Sequence, residues 1–151
     1  MKKIFFALAA VVMLTACGRY ESENVSVEEL AAALSYAADL DGEISENLMV
    51  NGVAARYGIS VEEIEGGAVF RCGDDADELI IAKAVNHDAL RNVEMALESE
   101  VNDLTAAWKY DAEERRKTEK HVLKTRGMYV LMAVCEDSDR VEKVFDNMVR
   151  G

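Results

Sequence analysis

Ala68-Val69-Phe70-Arg71-Cys72-Gly73-Asp74-Asp75-Ala76-Asp77-Glu78-Leu79-Ile80-Ile81-Ala82-Lys83-Ala84-Val85 is the stretch whose reading decides the fold. Two runs rich in branched and aromatic residues flank a polar, glycine-bearing segment, which is the pattern of a β-hairpin turning at Gly73-Asp74-Asp75-Ala76. Asn86 is placed to cap a helix. Leu90, Val93, Leu97, Val101, Leu104 and Trp108 then step by three and four residues. That spacing predicts a long amphipathic helix lying with its apolar stripe across the sheet.

Working toward the C-terminus, residues 109 to 120 are almost wholly charged and are expected to form a solvated connection. Val122-Leu123-Lys124-Thr125 and Met128-Tyr129-Val130-Leu131-Met132-Ala133-Val134 predict a second hairpin that turns at Arg126-Gly127. A final helix is expected from Asp137 or Ser138, with Val141, Val144, Phe145 and Met148 on its apolar face.

Toward the N-terminus, Ser26-Val27-Glu28-Glu29 matches a capping box, with Val25 and Leu30 placed for a hydrophobic staple. Leu30, Ala33, Leu34, Ala37 and Leu40 continue at helical spacing, and Asp41-Gly42 is expected to end that helix. Leu48, Met49, Val53 and Ala54 fit a weaker second helix within residues 44 to 57, interrupted by Asn51-Gly52. Ile59-Ser60-Val61-Glu62-Glu63-Ile64 repeats the capping logic, and Gly66-Gly67 is expected to stop it after little more than a turn. The order α–(α)–β–β–α–β–β–α predicts the α+β class. Two antiparallel hairpins form one sheet, packed against a long amphipathic helix plus N- and C-terminal helices, with the helices on one face.

The first residues carry an address. Lys2 and Lys3 precede an unbroken apolar run from Ile4 to Leu14, and Leu14-Thr15-Ala16-Cys17 closes it. Basic, apolar, then small residues is the order of a secretory signal peptide. The run is shorter than the roughly 20 residues a membrane-spanning helix needs. Leu14-Thr15-Ala16-Cys17 also resembles the lipobox of bacterial lipoproteins, in which the cysteine thiol receives a diacylglycerol before cleavage on its N-terminal side. The expected division is a signal peptide at 1–16, a lipidated tether at 17–25 and a single α+β domain at 26–150. The mature chain would then be an extracytoplasmic protein, lipid-anchored through Cys17 to the outer face of the cytoplasmic membrane.

Charge narrows the partners. Residues 17–151 hold 15 basic and 29 acidic residues, a formal charge of −14. A surface that acidic repels phosphates and anionic headgroups at long range, which excludes nucleic acid as a partner. Membrane attachment falls to the acyl chains on Cys17, and two or three chains hold stably without a basic patch.

A resemblance adds to this reading. The signal, the hairpin residues Ala76-Asp77-Glu78-Leu79, the helix ending in Tyr110, and Arg126-Gly127-Met128-Tyr129-Val130-Leu131 resemble one lipoprotein family, domain of unknown function four-three-five-eight, common in Gram-positive gut bacteria. The similarity would span about Val27 to Val149. It implies a small extracytoplasmic lipoprotein of the same architecture, with a glutamate at the position of Glu78 and no established activity. Members commonly carry a proline two residues after the tyrosine matching Tyr110. Here Ala112 stands there, and the chain has no proline at all.

Candidate chemistry is sparse. Asp74-Asp75-Ala76-Asp77-Glu78 gathers carboxylates but lacks the alternating pattern of a calcium loop, so a polar turn accounts for it as well. Glu78 opens a strand. If it faces inward it needs a partner, and Arg71 across the turn is the expected one. Cys72 and Cys135 permit one disulfide in an oxidising compartment, or stand as two semi-buried thiols. His87 and His121 belong to no ligand pattern, and no phosphate loop or nucleophile elbow occurs, so neither a metal nor a cofactor is expected. Lys109, Arg115, Arg116, Lys117, Lys120, Lys124 and Arg126 form a basic island expected to be a salt-bridged loop. Trp108 continues the helix stripe as core. Glu78, Tyr110 and Tyr129 are the binding residues to examine. The function expected is a non-enzymatic module that meets an envelope protein. The alternatives are an envelope enzyme using Glu78, or capture of a small solute by Glu78, Tyr110 and Tyr129 converging on one cleft.

Overall fold

The computed structural model describes residues 25–40, 46–71 and 74–149. The order is α1 (Val27–Ala37), β1 (Glu46–Met49), α2 (Val50–Tyr57), a single 3-10 turn (Val61–Glu63), β2 (Ile64–Arg71), β3 (Glu78–Ala84), α3 (His87–Ala107), α4 (Ala112–Glu119), β4 (Val122–Arg126), β5 (Tyr129–Val134) and α5 (Ser138–Met148). The class is α+β. The five strands form one sheet in the order β1-β2-β3-β5-β4, every pair antiparallel. The two predicted hairpins, β2–β3 and β4–β5, join through β3 against β5, where Glu78 stands opposite Val134 and Lys83 opposite Tyr129.

Helices cover both faces of the sheet, where one covered face was expected. Successive strand residues point to opposite sides, and here both sides are apolar. Leu79 and Ile81 of β3, with Tyr129 and Leu131 of β5, pack against Leu30 and Leu34 of α1 and Phe145 of α5. Ile80 and Ala82, with Val130 and Met132, pack against Val53 of α2 and the α3 stripe. The continuous apolar runs of β3 and β5 are the sequence mark of a strand buried on both sides.

Three local expectations change. The segment assigned to a weak second helix divides into edge strand β1, paired with β2 through Glu46–Arg71 to Met49–Ala68, and the helix α2. Gly66-Gly67 does not end a helix. Both glycines lie within β2, and an added Cβ would stand 2.9 Å from Val27 Cγ2 at Gly66 and 3.1 Å from Val53 Cγ2 at Gly67. The pair therefore lets α1 approach the sheet from one side and α2 from the other. The charged stretch after Trp108 is helix α4 rather than a loop. Asp111 caps it, its carboxylate accepting from the amides of Glu113 and Glu114, and Lys117 and Thr118 are buried. Ala112 is the first residue of that helix. Among the described residues, no helix is long and apolar enough to cross a membrane.

Candidate functional site

Glu78 shares its side of the sheet with Ile80 and Ala82, so its carboxylate is directed beneath α2 and α3 and is 1% exposed. Register brings Arg71 directly opposite on β2, and Arg71 Nε donates to Glu78 Oε2 at 3.0 Å. This is the pairing expected from the hairpin. Two further groups come from the end of α2. The Tyr57 hydroxyl donates to Glu78 Oε1, and Arg56 Nε lies 3.9 Å from the same oxygen. Gly58, in the left-handed conformation (φ 67°), ends α2 just beyond them.

Electrostatics follow from this crowding. Burial, and after it the Glu78 charge, pushes the Tyr57 hydroxyl far above the ordinary tyrosine range. Glu100 of α3 is half-buried beside the cluster. Its carboxyl is raised by burial and by Glu78, against the pull of Arg56 and Arg71. Burial works against the Arg56 guanidinium, but Tyr57 and Glu78 outweigh it and leave its pKa raised. Both arginine side chains are 27% exposed and Glu78 is 1% exposed, so the cluster is closed at Glu78 and partly open at its arginines. Guanidinium edges suit a carboxylate or phosphate.

The acidic turn beside it is also occupied from within. Oxygens of Asp75, Asp77 and Glu114 lie within 4.8 Å of one another. The Lys117 ammonium sits 2.9 Å from Asp77 and 3.2 Å from Glu114. Burial lowers the Lys117 pKa, but the two carboxylates more than compensate and raise it. Glu114 also accepts from the Ala76 amide at 2.8 Å, which fixes α4 to the turn.

The other residues singled out are placed elsewhere. Tyr129 lies on the opposite face of the sheet, 1% exposed, and its hydroxyl donates to the Val25 carbonyl at 2.6 Å. Tyr110 is 90% exposed, its ring 4.7 Å from the Lys109 ammonium. The structure therefore does not bring Glu78, Tyr110 and Tyr129 to one cleft. Cys135 is a buried free thiol, raised by burial, with Ser138 Oγ 3.6 Å from its sulfur. Cys72, the lipidation candidate Cys17 and the segments 1–16 and 17–24 lie outside the described residues. His87 is exposed at the start of α3, and a ring nitrogen of His121 bonds the Thr118 carbonyl at 2.7 Å. The basic island is spread over α4 and β4 in ion pairs, among them Arg116 with Glu136 and Lys124 with Glu142 and Asp146. Trp108 packs at the edge of the α3-side core.

Arg56, Tyr57 and Glu100 are the residues that sequence reasoning missed. Glu100 carried a signal, since it sits three residues after Leu97 and four before Leu104, on the apolar stripe itself. Arg56 and Tyr57 carried none, because only the packing of α2 brings them to Glu78. At the opposite end of the sheet, Val25, Ser26, Val27, Glu28, Glu65, Gly66 and Lys83 line an open cleft of about 310 Å³. A family model, Domain of unknown function (DUF4358), matches residues 36–135. No curated protein and no solved structure matches the chain.

Proposed function

The chain belongs to the DUF4358 family, and from that premise we propose that it is an extracytoplasmic lipoprotein, anchored by acyl chains on Cys17, whose folded part is a non-enzymatic binding or interaction module. Lys2-Lys3, the apolar run Ile4 to Leu14 and Leu14-Thr15-Ala16-Cys17 support the anchor. With a formal charge of −14 on residues 17–151, anionic headgroups give no attraction. Acyl burial at about 0.8 kcal/mol per methylene then supplies the attachment.

The observation that carries the non-enzymatic half is the enclosure of Glu78. A general acid or base must come within hydrogen-bond reach of the proton it moves. Glu78 is 1% exposed, with one oxygen taken by Tyr57 and the other by Arg71. That weakens the enzyme alternative, and the separation of Tyr110 and Tyr129 from Glu78 weakens shared solute capture. Two experiments test the proposal. Cys17→Ser should abolish incorporation of a labelled fatty acid and release the protein from membranes washed with carbonate. Partitioning like that of wild type would sink the anchor. For the module, crosslinking in cells should recover a defined envelope protein. A thermal shift with a metal, amino acid or glycan that disappears in Glu78→Gln would favour the solute reading instead.

A further inference from the structure

α4 is fastened to the fold unlike the other described helices. α1, α2, α3 and α5 each bury apolar side chains, whereas the buried residues of α4 are Lys117 and Thr118. The Lys117 side chain is 10% exposed and meets the carboxylates of Asp77 and Glu114, themselves 16% and 13% exposed. Three ionisable side chains are thus held together almost out of water.

Their geometry is close and fixed. Lys117 Nζ lies 2.9 Å from Asp77 Oδ1 and 3.2 Å from Glu114 Oε1. Among the described residues Asp77 Oδ1 accepts no hydrogen bond in good geometry, so its contact with Nζ is one of charge and proximity. The Asp77 amide donates to Asp75 Oδ1 at 2.9 Å, which holds the turn in place. Glu114 Oε2 accepts from the Ala76 amide at 2.8 Å, and this leaves Oε1 to the lysine. Oxygens of Glu114 and Asp77 lie within 4.8 Å of each other.

We propose that Lys117 and Asp77 are a self-modifying pair that condenses to an isopeptide bond between Nζ and Cγ, with Glu114 as the proton carrier. Glu114 Oε1 takes a proton from the Lys117 ammonium and passes it to the Asp77 carboxylate. The neutral amine, a nucleophile once deprotonated, attacks Cγ. A second Nζ proton crosses by the same route to the departing oxygen, and the Cγ–O bond breaks. Two of the three Nζ protons therefore leave with one Asp77 oxygen as water, and the third stays on the amide nitrogen. Glu114 ends as the carboxylate it began as, and no oxidant, metal or co-reactant is consumed.

Burial favours this step. It raises the Asp77 carboxyl against the pull of Lys117, toward the acid form that the amine attacks. Burial also works against the Lys117 charge, but Asp77 and Glu114 outweigh it, so removal of that proton by Glu114 limits the rate. Neighbours fixed in place react as if at very high concentration. Condensation also removes two buried charges and the cost of keeping them from water. The product ties α4 covalently to the start of β3 and closes residues 77–117, α3 included, into one loop.

Intact-mass spectrometry of the full chain, with peptide mapping, tests the bond. The wild type should weigh one water less than its sequence requires, and digestion should yield one branched peptide joining Asp77 to Lys117. Full mass with the two peptides separate, after prolonged incubation of the folded protein, overturns the proposal. So does a water lost at any other position. Lys117→Met and Asp77→Ala should each restore the full mass, and a branched peptide in either overturns the assignment. In pulse-labelled protein, Glu114→Gln should slow linkage by about 100-fold, with its fold checked by circular dichroism. Glu114→Asp, which draws the carboxylate back, is the second variant should the first not fold, and it should slow linkage too. Linkage at the wild-type rate in a folded Glu114 variant overturns the role of Glu114.

Discussion

At the scale of single residues, Glu78 organises the interior of one sheet face because a buried carboxylate must be matched by donors. Arg71 faces it across the hairpin at 3.0 Å, while Arg56 stands 3.9 Å away. Removing one partner of a buried pair costs about 3–5 kcal/mol, and the exposed edges of these arginines place the expected loss at the lower bound. Arg71→Ala should therefore cost about 3 kcal/mol and Arg56→Ala clearly less, read from urea unfolding. Equal losses would contradict the assignment of Arg71 as principal partner. Glu100 supplies a pH test. Its folded pKa is raised by burial and by Glu78, so ionising it opposes folding. Stability from this group is complete below the unfolded carboxyl value and is lost as pH rises through the folded one. Glu100→Gln should stabilise the protein at pH 7, and the gain should vanish as pH falls toward about 4. A gain that persists in acid would exclude this cause.

Elements meet through small residues and caps. Gly66 and Gly67 let helices press on β2 from opposite sides, Val27 against the first and Val53 against the second. Gly66→Ala is expected to cost about 1–3 kcal/mol as an overpacking change, and Val27→Ala added to it should recover part of the loss. Without recovery in the double variant, the clash is not the reason for glycine. α4 depends on its cap and on one lysine. Asp111→Ala removes the acceptor for two amides and should cost about 1 kcal/mol, with amide exchange accelerated across residues 112–119.

On the scale of the whole molecule, β3 and β5 belong to both cores, so the two faces cannot unfold apart. Phe145 is buried on the α5 side and Leu97 on the α3 side. Phe145→Ala should cost about 3–5 kcal/mol and Leu97→Ala about 2–5 kcal/mol. Each should move one shared transition, seen alike by Trp108 fluorescence and by circular dichroism. Two separate transitions in either variant would show that the faces are independent.

The sequence by itself determined the class, both hairpins, the long helix and its cap, and the pairing of Glu78 with Arg71. All of these rest on local periodicity and short separations along the chain. It also carries Leu14-Thr15-Ala16-Cys17, the stretch on which the proposed anchor rests. Only the tertiary structure decided that helices cover both faces, because alternation in a strand buried on two sides is invisible as polarity. It alone gave Gly66-Gly67 their purpose, since close approach depends on α1 and α2 packing from opposite sides of β2. It alone completed the Glu78 site with Arg56, Tyr57 and Glu100, and sent Tyr129 to the opposite face to hold Val25. Those contacts join residues separated by 21 to 104 positions, beyond the reach of any local pattern.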